Sequence, residues 1–100
     1  MTVKVGDRVG AICGRRKDGV VDFYGYGTYA GEHVPVGAVG FIADAIIGTG
    51  IKNPRIDLDD GAVVWGCECW WMSEDKAKKL LSSEKVNMVK IADKRREILE

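Results

Sequence analysis

Cys67 and Cys69 bracket Glu68 inside the run Trp65-Gly66-Cys67-Glu68-Cys69-Trp70-Trp71. Thiols at this spacing raise three chemistries: zinc binding, thiol–disulfide exchange and nucleophilic attack. Zinc needs further ligands, and Cys13 and His33 are the donors of suitable type. Structural zinc sites usually draw ligands as two close pairs. Cys13 and His33 each stand alone, so zinc at Cys13, His33, Cys67 and Cys69 stays the alternative to a metal-free chain. A disulfide within the tripeptide would be strained on an extended strand. A redox pair normally has two residues between its cysteines at a helix start. His33 is the sole histidine, and no oxyanion-hole motif accompanies it as base to a thiol. The reading preferred for the cysteines is packing, since cysteine behaves as a small buried hydrophobe.

Three other groups of residues could bind rather than react. On a regular strand Glu68 and Trp70 share the face opposite Cys67 and Cys69. Arg55 then lies diagonal to Glu68, within reach of an ion pair, and Trp70 beside it would be a stacking platform for a base, a nucleotide or a partner protein. The bland reading of Trp70 is burial under the following helix. The second group is FYGYGTYAG at 23–31, where Tyr24 and Tyr26 share a strand face and Tyr29 follows. Glycines between tyrosines let a ligand or a second backbone approach closely. Its glycines do not have dinucleotide-motif spacing, and no helix follows. The third group is Arg15, Arg16 and Lys17, which could touch phosphates, although a solvated turn is the simpler account.

These residues need strands and turns to hold them. VKVGDRVGAIC predicts a Gly6-Asp7 turn and a strand through Val9, Ala11 and Cys13. Asp18-Gly19 and Asp60-Gly61 predict two hairpins, with both central residues at positive φ. A two-residue turn at Asp60-Gly61 pairs Leu58 with Val63 and Ile56 with Trp65. That sets Ile56, Leu58, Val63 and Trp65 on one apolar face, and Arg55, Asp57, Asp59, Val64 and Gly66 on the other. The spacing in 37–48 predicts a short helix. Ser73 caps a helix opening with Glu74 and Asp75, with Ala77, Leu80 and Leu81 as its apolar stripe. VNMVKI predicts a closing strand, and ADKRREILE a charged terminal helix anchored by Ile98 and Leu99.

The chain of 100 residues is expected to form a single domain over 1–100, with 1–72 mostly strands and tight turns and 73–100 a helix, a closing strand and a short C-terminal helix. The fold expected is mainly β: a small SH3-like antiparallel barrel with one or two short helices, the alternative being an α+β roll. With 46% hydrophobic residues the chain is not of disordered composition. Its 15 basic and 15 acidic residues argue against a generic nucleic-acid binder. No apolar run reaches the ~20 residues of a membrane span, and no secretory signal is evident, so a reducing cytoplasm is expected.

GYGTYAGE at 25–32 and NPRIDLDDGAVVWGCECWW at 53–71 resemble small proteins of tailed bacteriophages and their hosts. The resemblance implies an accessory role in a host cytoplasm, by binding a host protein or sequestering a small signalling nucleotide. The residues themselves point to a non-enzymatic binding module without cofactor. It would hold a nucleotide-like ligand or a protein through Tyr24, Tyr26, Tyr29, Arg55, Glu68 and Trp70. Homo-oligomerisation is expected, and the alternatives are an assembly protein whose aromatics form the oligomer interface and, third, a small hydrolase using Asp57.

Overall fold

In a computed structural model, residues 3–38 and 48–99 are described. The helix expected over 37–48 falls on 39–47, outside the described residues. The chain is mainly β. β1 (Arg8–Arg15), β2 (Val21–His33), β3 (Asn53–Leu58) and β4 (Val63–Trp65) form an antiparallel meander. A 3-10 turn at Gly66–Glu68 follows, and β5 (Trp70–Ser73) returns beside β1. The strand order β4-β3-β2-β1-β5, with a 3-10 turn before the last strand, is SH3-like. Helix α1 (Glu74–Leu81) comes next, then β6 (Val86–Met88), parallel to the start of β2, and helix α2 (Ile91–Leu99).

Both Asp-Gly turns form, but with a different geometry from the one expected. Arg16 N–H bonds to the Val20 carbonyl and Gly19 N–H to the Arg16 carbonyl. Leu58 N–H bonds to the Ala62 carbonyl, and Gly61 N–H to the Leu58 carbonyl. Only the glycines, at φ 86° and 93°, are left-handed. Each loop is therefore a type I turn closed by a left-handed glycine, three residues long instead of two. The extra residue shifts the second hairpin by one position. Ile56 faces Val64 and Arg55 faces Trp65, correcting the pairing read from sequence. A one-residue slip exchanges the two faces. Val64 joins Ile56 and Leu58 in the main core, and Trp65 turns to the opposite side, buried against Ala38.

Two bulges correct the tyrosine assignment. Ala11 faces Gly25 and Ile12 faces Phe23, leaving Tyr24 as an extra residue, and Cys13 is extra between Ile12 and Gly14. A bulge breaks the two-residue alternation. Tyr24 consequently enters the main core with Val9, Ala11, Ile56 and Leu58, while Tyr26 packs on Phe23 across the sheet. Ser73 caps α1 as expected, its Oγ accepting the Lys76 N–H at 3.3 Å. Ala77 is the buried residue of α1, and Gly10 admits it closely: a Cβ on Gly10 would lie 2.6 Å from that of Ala77. In α2 the anchor is Ile91, whereas Ile98 and Leu99 are exposed, contrary to expectation. No helix among the described residues is long and apolar enough to cross a membrane.

Candidate functional site

The run at 65–71 does not continue as a strand. Glu68 folds back, and its Oε1 accepts the Trp65 N–H at 3.1 Å, closing the 3-10 turn. Arg95 of α2 grips the same carboxylate through Nε at 2.8 Å and Nη2 at 2.7 Å, and Nη2 also donates to the Val63 carbonyl at 2.8 Å. Glu68 is thus nearly buried, and its partner is Arg95 rather than Arg55. The ion pair expected between Arg55 and Glu68 does not form; Arg55 pairs with Asp57 at 2.9 Å.

This cluster covers a sheet edge. Leu58–Ala62 is a hydrogen-bonded pair, so Ile56–Val64 is the next, and Val63 and Trp65 aim their polar groups away from β3. Glu68 takes the Trp65 N–H, Arg95 takes the Val63 carbonyl, and the Cys69 thiol donates to the Trp65 carbonyl at 3.4 Å. Side chains stand where another strand would pair, one of the ways proteins blunt an edge.

Two of the thiols, Cys67 and Cys69, lie in surroundings that favour the protonated form. Burial, reinforced by the nearby Glu68, Cys67 and Cys13, pushes the Cys69 thiol up to about 12. Burial and Glu68 also raise Cys67. Thiolate, the nucleophile and metal ligand, is suppressed in such surroundings. Cys13 and Cys69 pack against the main core and Cys67 against Trp65. All three cysteines are free thiols. His33 lies exposed near the end of β2, with Nε2 3.0 Å from the Ala30 carbonyl. Among the described residues no three His, Cys, Asp or Glu side chains gather as a metal site.

The expected aromatic and arginine surface is dispersed. Tyr24 is buried, and burial with Cys13 beside it raises its phenol. Tyr26 meets Phe23 edge-on at 4.9 Å, and Lys78 Nζ stands 5.8 Å from its ring. Tyr29 stacks on Trp71 at 5.2 Å and donates its hydroxyl to Glu32 at 2.7 Å. Arg55 and Trp70 lie on β3 and β5, which do not pair, and Arg55 is not among the residues that line the depression beside Trp70. Arg15 pairs with Glu84 at 2.5 Å and Arg16 with Asp22 at 3.3 Å, while Lys17 sits at the exposed hairpin tip. Every arginine of the chain has a carboxylate partner.

Trp70 is 72% exposed rather than covered by α1. Directly opposed residues share a face, so Trp70 lies with Ile12 and Met72 with Gly10, on the side where α1 packs. Ala77 of α1 points at Gly10 and Lys78 reaches Tyr26 of β2. The opposite flank, Lys76 and Leu80, borders Trp70 instead. Gly66, Cys69, Trp70, Trp71, Met72, Lys76 and Leu80 line a shallow depression of about 440 Å³ there. Lys76 and Met72 were not singled out from sequence, and Leu80, expected in the buried stripe of α1, is exposed instead. The available signal was the four-residue spacing of Lys76 and Leu80 on one helix face. Comparison with protein-family models, with curated proteins and with solved structures found no match to the chain.

Proposed function

We propose that this protein is a non-enzymatic binding module and that its working surface is the Trp70 side of β5. It takes a protein segment in preference to a nucleotide-like ligand. The observation that carries this reading is the exposure of Trp70 on an edge strand, beside the partly exposed Leu80 and Met72. An exposed tryptophan among apolar neighbours is characteristic of interface anchors. A nucleotide reading needs guanidinium forks free to hold phosphate, and each arginine here is already engaged by a carboxylate. The carboxylates that a hydrolase would use are engaged in turn, Asp57 by Arg55 and Asp59 by Arg8 at 2.6 Å. An accessory role against a host protein in the cytoplasm accords with such a surface.

A display library of short extended peptides, panned in parallel on the whole chain and on Trp70→Ala, tests the proposal. Enrichment on the natural chain alone is expected. Thermal-shift screening with nucleotides and cyclic oligonucleotides supplies the counter-test. A nucleotide that stabilises the chain and the Trp70→Ala variant alike would move the function away from this surface.

A further inference from the structure

The sheet has two ends, and they are treated differently. At β4 three of the four outward polar groups, the Trp65 N–H and carbonyl and the Val63 carbonyl, are taken up by Glu68, Cys69 and Arg95. At β5 the ladder to β1 occupies one side of the strand. In an antiparallel ladder alternate residues turn their N–H and C=O away from the partner strand. Among the described residues no side chain bonds to the outward groups of β5. This edge can accept a strand, and the side chains beside it set what kind. Trp70, Met72 and Leu80 offer apolar contact. Lys76 lines the same depression, and neither it nor Lys79, one turn on, has a carboxylate partner among the described residues. Lys78 and Lys94, by contrast, are paired with Glu74 and Glu97.

We infer that the β5 edge binds an extended segment of alternating apolar and acidic residues by strand addition. The backbone pairs with β5, the apolar side chains rest on Trp70 and Leu80, and an acidic side chain meets Lys76. A second copy of this chain fits the edge poorly. Two-fold pairing of β5 with itself would bring the Lys76 flanks of both α1 helices together, and like charges facing each other across an interface are unfavourable. The inference rests on the reading of the Trp70 surface as a protein-binding face and adds the conformation and charge of what binds.

The test uses the whole chain and two eight-residue peptides, one alternating valine with glutamate, the other valine with lysine. Binding is followed by tryptophan emission and by amide exchange of β5. The glutamate peptide is expected to bind and to slow exchange in Trp70–Ser73. The lysine peptide and the Lys76→Glu variant should each weaken binding about tenfold or more, and Lys76→Glu should improve binding of the lysine peptide. Equal binding of both peptides, each lost in Trp70→Ala, overturns the charge preference and leaves the surface reading standing. Binding of neither peptide, together with no Trp70-dependent sequence from the display library, overturns both. A dimer in sedimentation that Trp70→Ala dissociates assigns the edge to a second copy and overturns the inference.

Discussion

Arg95→Met should cost far more than any exposed ion pair. Glu68 is 6% exposed in its side chain and Arg95 22%. Exposed pairs contribute roughly 0.2–1 kcal/mol, whereas stripping one partner from a buried pair costs about 3–5 kcal/mol by leaving a charge without compensation. Arg95 retains some solvent, which places the loss near the lower bound, about 3 kcal/mol. For a chain of this size that lowers the melting temperature by about 12–24 °C. Glu68→Leu should cost a similar amount, because it orphans Arg95 and also the Trp65 N–H. The double variant should be much less destabilised than the sum, with a coupling of about 1.5–3 kcal/mol. Its residual loss, about 3–4.5 kcal/mol, includes the Trp65 N–H and the Val63 carbonyl, both left without their side-chain partners. Urea unfolding of the four proteins measures the cycle, with Arg55→Ala as the control expected near zero. A loss below about 1 kcal/mol for Arg95→Met, or additive single effects, would refute the account of this pair as a buried clasp on the β4 edge.

Gly27→Ala should destabilise by more than about 2 kcal/mol, because its Cβ would fall 2.4 Å from the Asp57 carbonyl oxygen and 2.8 Å from the Leu58 Cα. Gly14→Ala, with nothing within 4 Å and no left-handed φ, should be neutral or add up to about 1 kcal/mol; parallel thermal melts of the two decide whether close approach governs. The Cys69 thiol, raised from 9.0 to about 12, contributes stability that is complete below 9.0 and is lost as pH climbs toward 12, since the unfolded chain releases the proton first. Urea midpoints should therefore fall between pH 8.5 and about 10.5, less steeply in Cys69→Ala, and a rise would contradict the burial of this thiol. Trp70→Ala should change stability by no more than about 0.5 kcal/mol, while Trp71→Ala, which loses its stack on Tyr29, should cost about 2–4 kcal/mol; equal losses would mean that Trp70 is buried.

The elements were legible because each rests on local chemistry. Gly6-Asp7, Asp18-Gly19 and Asp60-Gly61 do turn the chain, Ser73 does cap a helix, and the alternation in 53–58 does mark a strand. The faces were less legible, since they depend on register. One extra loop residue at Asp59-Asp60-Gly61 exchanged Val63 with Val64 and sent Trp65 to the other side. One bulge at Tyr24 separated it from Tyr26. Neither event changes the hydrophobic pattern enough to be read beforehand, because valine and tryptophan suit either face of a sheet covered on both sides. Glu68 was misplaced for a different reason. Its role depends on Arg95, 27 residues away, inside a charge run that reads as a solvated helix face.

That pairing also explains why Trp70 is where it is. A regular strand from Val63 to Ser73 would have carried β4 straight past β3, with no return to β1. Glu68 ends the strand by taking the Trp65 N–H, and the 3-10 turn redirects the chain so that Trp70 faces Ile12. The same carboxylate holds α2 through Arg95, and the same arginine covers the Val63 carbonyl. A single buried pair thus turns the chain, docks the last helix and covers one end of the sheet. Among the described residues the opposite end receives no such cover and instead presents Trp70, Met72, Leu80 and Lys76. The fold thus blunts the β4 edge with side chains of its own, and among the described residues it does not do so at β5.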